Sequence, residues 1–162
     1  MEESGSTITI KFAFFTGFRR VEVFGLRWDN VSMERGCVRL VDTKGGKDSV
    51  LPLNSGAMDA LRESLKLFGP SFSPYAFPGK SGKERKDIRT AWDRAKMSAG
   101  IAPDFRFHGL RHNFASHLAS SGQVSMLALQ RLLTHKSPQM TQRYAHLLDE
   151  ELRRSVELME LV

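Results

Sequence analysis

One region of this chain patterns as β-structure, and that restricts the fold. Cys37-Val38-Arg39-Leu40-Val41 and Asp48-Ser49-Val50-Leu51-Pro52-Leu53 read as two strands. Thr43-Lys44-Gly45-Gly46-Lys47 joins them as a tight glycine turn, so the pair reads as a hairpin. Val31-Ser32-Met33 offers a third, edge strand, with turn signals at Asp29-Asn30 and Arg35-Gly36. The rest carries helical period and helix punctuation. The expected class is α+β: a mostly helical domain with a small antiparallel sheet packed at one side.

The helices follow from apolar spacing and breakers. Ile8 to Phe15 reads as the first, broken at Thr16-Gly17, and Phe18 to Leu26 as the second. Asn54 or Ser55 caps a third, on which Met58, Leu61, Leu65 and Phe68 form an apolar stripe. Residues 69–82 form a proline- and glycine-rich loop anchored by Phe72, Tyr75 and Phe77. Further helices are expected over 87–99, 108–120, 125–133, 138–147 and 149–161. Residues 1–7 are polar and read as a disordered terminus or expression scar, leaving 8–162 as a single domain. A chain of 162 residues is long enough for one proper core and short for two.

Charge and cysteine usage narrow the class of partner. Lys and Arg number 24 against 18 Asp and Glu, a net +6 that favours a polyanion. Cys37 is the one cysteine, so no intramolecular disulfide and no cysteine-based zinc site can form. It reads as a small buried apolar residue in a strand. No apolar run approaches a membrane span, and the first residues lack a signal-peptide core. The expected location is the cytoplasm.

Three short stretches hold the chemistry: Thr16-Gly17-Phe18-Arg19-Arg20-Val21-Glu22, His108-Gly109-Leu110-Arg111-His112, and Leu133-Thr134-His135 with Tyr144 nine residues on. A phosphodiester under nucleophilic attack gains negative charge, which preorganised donors must stabilise when no metal does so. Arginine suits this because its planar fork bonds two phosphate oxygens and keeps its proton. Arg19 and Arg111 are the candidates. Glu22 lies three after Arg19 and could pin it, although the pair alone also reads as a surface ion pair. His108 lies three before Arg111 and could donate to a phosphate oxygen beside it. The turn between the strands presents Lys44, or Lys47, as an ammonium able to protonate a leaving alkoxide. Tyr144 could attack if neighbouring cations ease loss of its proton, and Arg19, Arg111 and His135 could do so. Tyr75, in the proline loop, reads as a packing residue. His108 and His112 share zinc-ligand spacing, but Gly109 stands where the metalloprotease motif has glutamate, so no metal or other cofactor is expected. His112 reads as making a structural hydrogen bond, and His117 and His146 as surface or supporting residues.

In this order, from about Phe12 to Leu148, the set resembles the catalytic domain of the tyrosine recombinases, also called the phage integrase family. Residues 16–22 look like the family's first-arginine box, and 43–47 like its hairpin-lysine box, which points to Lys44. Residues 108–112 look like its histidine–arginine box. Leu132-Leu133-Thr134-His135-Lys136-Ser137 and Arg143-Tyr144-Ala145-His146 look like the last two. The resemblance implies that Arg19, Lys44, His108, Arg111 and His135 surround a phosphate, with Glu22 and His112 supporting them. It implies that Tyr144 forms a 3′-phosphotyrosyl bond which a 5′-hydroxyl later reverses, without metal or ATP. Double-stranded DNA is the implied partner, and the chain is expected to be a monomer when free and a homo-multimer on DNA. Gly109 stands where the family commonly has aspartate, and Thr134 where it usually has glycine. The family's N-terminal clamp domain is absent from this chain, which suggests an excised or incomplete protein.

Two alternatives remain open from the sequence. A nicking-closing enzyme of the type IB topoisomerase kind would use the same site chemistry. A non-catalytic DNA-binding module would read Ser125 to Tyr144 as a helix-turn-helix with Thr134-His135-Lys136-Ser137 as its turn.

Overall fold

A computed structural model describes residues 5–41 and 48–147, which fall into two units, Met1–Arg111 and His112–Val162. The turn at 43–47, with Lys44 and Lys47, lies outside the described residues, as does the helix expected over 149–161.

The first unit opens on helix α1, Gly5–Thr16, which begins three residues earlier than its apolar pattern suggested. Packing explains the difference. Ser6 Oγ accepts a 3.0 Å bond from the Arg85 guanidinium, and the backbone at Gly5 lies so close to the Phe68 ring that a Cβ would sit 2.5 Å from it. Ile8, Thr9, Phe12, Ala13 and Thr16 form the buried face of α1, at three- and four-residue spacing. The Thr9 and Thr16 hydroxyls donate back to the carbonyls of Gly5 and Phe12, which satisfies them where water is excluded. Gly17 ends the helix at φ 63, a left-handed conformation that glycine adopts without a Cβ penalty. Helix α2, Arg20–Phe24, is shorter than expected and stops at Gly25.

The sheet has order β1-β2-β3: Val31–Ser32, Cys37–Leu40 and Ser49–Pro52, antiparallel throughout. Val38 pairs with Leu51, and both turn into the core, while Arg39 and Val50 face out. Cys37 is half-buried rather than fully enclosed. Helix α3, Ser55–Leu67, is capped by Asn54, whose side chain accepts from the Ala57 N–H at 2.9 Å. Its buried face is Ala57, Met58, Ala60, Leu61 and Ser64, and Leu65 is exposed. The expected stripe is therefore shifted, because small side chains on α3 let α1 pack closely against it. In the loop that follows, Phe77 is buried and Phe72 is exposed. Tyr75 is half-buried beneath the Arg27 guanidinium, 5.6 Å from its ring centroid. Helix α4, Arg89–Ser98, starts after Asp87, which accepts from the N–H groups of Ile88 and Arg89. Those two bonds hold the Asp87 carboxyl below the usual carboxylate range. The core is largely aromatic and aliphatic, with Phe12 4.7 Å from Phe77 and 5.8 Å from Phe18 between ring centroids.

Helix α5, Gly109–Ser120, carries the boundary between the units. In the second unit α6, Met126–Leu132, is capped by Ser125, and α7 spans only Gln139–Gln142 before a 3-10 turn at Ala145–Leu147. The single helix expected over 138–147 is thus two short pieces. Ala115, Ala119, Leu129, Leu133 and Tyr144 form this unit's core. Helix α6 closes in a Schellman turn: the His135 N–H bonds the Gln130 carbonyl at 3.1 Å and the Thr134 N–H that of Arg131 at 3.0 Å. That turn requires a left-handed residue, and Thr134 occupies it at φ 50.

Two stability outcomes follow. Phe12→Ala should cost about 3–5 kcal/mol, measured by denaturant unfolding, since it removes a fully buried ring. Thr134→Gly should instead stabilise by about 1 kcal/mol in the same assay, because it relieves a β-branched residue of a left-handed conformation.

Candidate active site

Arg19 is the residue before helix α2, held in extended conformation at φ -65, ψ 149. Glu22 grips it twice. One carboxylate oxygen accepts the Arg19 backbone N–H at 2.6 Å, and the other accepts its Nη1 at 2.8 Å. The side chains are 32% and 18% exposed, so the pair is not the freely solvated ion pair that its spacing alone permits. Glu22 caps the helix and fixes the guanidinium in one gesture.

Arg111 lies in the first turn of α5 and is 4% exposed. Its Nη1 donates to the Gly17 carbonyl at 2.9 Å, so its guanidinium meets the segment that carries Arg19 two residues later. A run of tight turns leads into α5: the N–H groups of Gly109, Leu110 and Arg111 bond the carbonyls of Arg106, Phe107 and His108. His108 ends this run and is exposed. Gly109 fits its place for a steric reason. A Cβ there would sit 2.6 Å from the Phe105 ring, which packs 6.1 Å from Trp92, so any larger residue must displace that ring.

In the second unit, His135 follows the strained Thr134, and its Nδ1 lies 2.8 Å from the Thr141 hydroxyl. Thr141 is 1% exposed, so this contact holds the imidazole from a rigid position. Tyr144 is buried, its ring in the core and its hydroxyl 2.7 Å from His112 Nδ1. The structural hydrogen bond expected of His112 thus has the tyrosine itself as partner. His117 and His146 are exposed.

Sequence reading missed Thr141 and the Gly17 carbonyl. A threonine six residues after a histidine across a turn carries no recognisable pattern, and a backbone acceptor has no signature at all. Among the described residues, no group of three His, Cys, Asp or Glu side chains is placed to hold a metal ion. None of their helices is long and apolar enough to cross a membrane.

The first unit offers a fixed arginine and a buried arginine on a backbone carbonyl; the second offers an oriented imidazole and a phenol bonded to another imidazole. The chain is similar to known proteins over most of its length. The model of the phage integrase family matches residues 3–151. Tyrosine recombinase XerD of Vibrio vulnificus (strain YJ016) is 34% identical over 153 residues, 89% of this chain and 49% of that protein. Tyrosine recombinase XerC of Xanthomonas axonopodis pv. citri (strain 306) is 34% identical over 137 residues, 83% of this chain and 44% of that protein. The chain spans about half the length of the curated relatives it matches. The crystal structure of XerA recombinase shares the fold at a TM-score of 0.72 and 25% identity, covering 98% of this chain and 64% of that one. The catalytic domain of bacteriophage HP1 integrase does so at 0.65 and 27%, covering 93% and 79%. A family pattern matched from one end of the described residues to the other, on a mostly helical fold with a three-stranded antiparallel sheet, places this chain in the phage integrase family.

Proposed function

We propose that the chain is the catalytic part of a site-specific DNA strand transferase. Tyr144 Oη attacks a phosphodiester and forms a 3′-phosphotyrosyl bond, and the 5′-oxygen departs with a proton supplied by Lys44. A 5′-hydroxyl then attacks the phosphotyrosyl bond and releases the tyrosine. The energy of the broken phosphodiester is kept in the covalent intermediate, so rejoining needs no ATP.

The observation that carries this reading is the immobilised arginine pair: Arg19 pinned by Glu22, and Arg111 on the Gly17 carbonyl two residues before Arg19. Guanidiniums fixed before substrate arrives stabilise developing phosphorane charge without reorganising during the reaction. His108 and His135 add imidazole donors to the phosphate oxygens. The partner is double-stranded DNA, which a net charge of +6 attracts in a salt-dependent way. Two proteins of the same fold support this: XerH recombinase was solved bound to a palindromic difH substrate, and lambda integrase as a dimer bound to a COC′ core site. On this reading the chain acts in the cytoplasm, is a monomer when free, and assembles into a homo-multimer on DNA.

The test is a covalent protein–DNA adduct that survives denaturant, formed on a nicked duplex carrying the recombination site. Tyr144→Phe should abolish it and leave the DNA dissociation constant unchanged, since affinity comes mainly from phosphate contacts. An adduct persisting in that variant would move the nucleophile elsewhere. Arg111→Lys should lower single-turnover cleavage by about 100- to 1,000-fold, because a point charge does not reproduce a bidentate fork. Chelator should leave cleavage unchanged; loss of cleavage would restore a metal to the mechanism.

A further inference from the structure

We infer that His112 is the general base that takes the proton from Tyr144. This rests on the assignment of Tyr144 as nucleophile and adds to it the group that activates it. His112 stands outside the phosphate-gripping set, whose cations ease ionisation of a phenol electrostatically but do not by themselves name the group that takes its proton. The structure supplies the missing group. Nδ1 of His112 lies 2.7 Å from Tyr144 Oη, within the reach required of a base and its nucleophile. The two residues are 32 apart in sequence, so the contact is built by the fold and not by local helix geometry.

The surroundings suit proton transfer. The Tyr144 ring is 5% exposed and packs among Ala115, Ala119, Leu129 and Leu133, which fixes its direction and limits competing water. A phenolate formed alone in such a place would pay a large desolvation penalty. Transfer to His112 creates a phenolate and an imidazolium together, and their mutual attraction offsets part of that penalty. His117, Arg131, Lys136, Arg143 and His146 are exposed, and His135 is engaged at Nδ1 by Thr141.

The step balances. Neutral His112, with its proton on Nε2, accepts the Tyr144 O–H proton at Nδ1. The Oη–P bond forms and the P–O5′ bond breaks, and the 5′-oxygen takes its proton from the Lys44 ammonium. On rejoining, the Oη–P bond breaks and the His112 imidazolium returns the proton to Tyr144. One imidazole therefore serves as base in cleavage and as acid in ligation.

His112→Gln tests this, because a glutamine amide oxygen accepts the phenol hydrogen bond but cannot hold its proton. Single-turnover adduct formation is followed from pH 6 to pH 10 on a nicked duplex, with melting temperature and DNA affinity as controls. His112→Gln should cleave about a hundredfold more slowly at neutral pH. The gap should narrow by about tenfold per pH unit as the phenol ionises unaided. Cleavage at the wild-type rate, or a deficit equal at every pH, would overturn the inference, the first leaving a positioning bond and the second a packing defect. A substrate with a bridging 5′-sulfur, which departs without a proton, should not rescue the variant; rescue would assign His112 to the leaving group and overturn its role as base. Should the variant fold poorly, Tyr144→3-fluorotyrosine with His112 intact gives a second measurement. The inflection of its pH–rate profile should stay with the imidazole; an inflection that follows the lowered phenol pKa would overturn the inference. Tyr144→Phe separates the two levels: an adduct in that variant sinks the nucleophile assignment, whereas no adduct there, with wild-type rates in His112→Gln, sinks only the base.

Discussion

The bond from Arg111 to the Gly17 carbonyl joins residues 94 apart and organises much of what surrounds it. A buried guanidinium is tolerable only where its N–H groups meet acceptors, and a backbone carbonyl at a helix break is such an acceptor. Gly17 provides the break because only glycine takes φ 63 without strain. The same break releases the chain into the extended conformation of Arg19, from which Glu22 can reach both the backbone N–H and the guanidinium. One left-handed glycine therefore sets the end of α1, the start of α2, the anchor of one arginine and the rotamer of the other. Substitution at Gly17 would disturb all four through a single backbone change.

Much of this was legible from residue pattern, and the failures have physical causes. The hairpin strands, the Asn54 cap and most helix positions follow from alternation, caps and breakers, which act locally. The stripe on α3 shifted because the decisive property there is small size at Ala57, Ala60 and Ser64, while hydrophobicity alone favours Leu65. Helix α1 starts early because Arg85 and Phe68 engage its first turn from distant parts of the chain. The segment 138–147 is two short pieces, and Thr141 and Tyr144, three residues apart, both turn into the interior. For the site, motif order identified residue types, but not their orientation. The Gly17 acceptor for Arg111, 94 residues away, and the contact of His112 with Tyr144, 32 apart, are tertiary facts.

Thr134 shows how fold and site trade against each other. A Schellman turn after α6 delivers His135, and it closes with a threonine in the conformation that glycine prefers. The strain is local and the neighbouring bonds overdetermine the turn, so it persists. Similarly, the placement of Tyr144 depends on residues that carry no polar side chain. Ala115 and Ala119 are fully buried against it, and their lack of side-chain bulk is what admits the ring. On the proposed mechanism, the placement of the Tyr144 hydroxyl is inherited from packing, so changes to the core would alter chemistry without touching a polar group.

Two imidazoles of the second unit are held at Nδ1 by a hydroxyl, His135 by Thr141 and His112 by Tyr144. A hydroxyl differs from a carboxylate as a partner because it donates or accepts as required. It keeps its hydrogen bond whether the imidazole presents a lone pair or an N–H, and adds no charge that would favour the imidazolium. For His135, this means the ring keeps its orientation through a change of protonation. For His112, the partner hydroxyl is also the proposed source of the proton, so the same contact orients the ring and carries the transfer. A threonine can serve only the first purpose at neutral pH, since an aliphatic hydroxyl does not ionise there. A phenol, with a pKa near 10, lies close enough to an imidazole for transfer to be coupled to bond formation at phosphorus. On the proposed mechanism, the chemical difference between Thr141 and Tyr144 separates an oriented phosphate donor, His135, from a proton acceptor, His112.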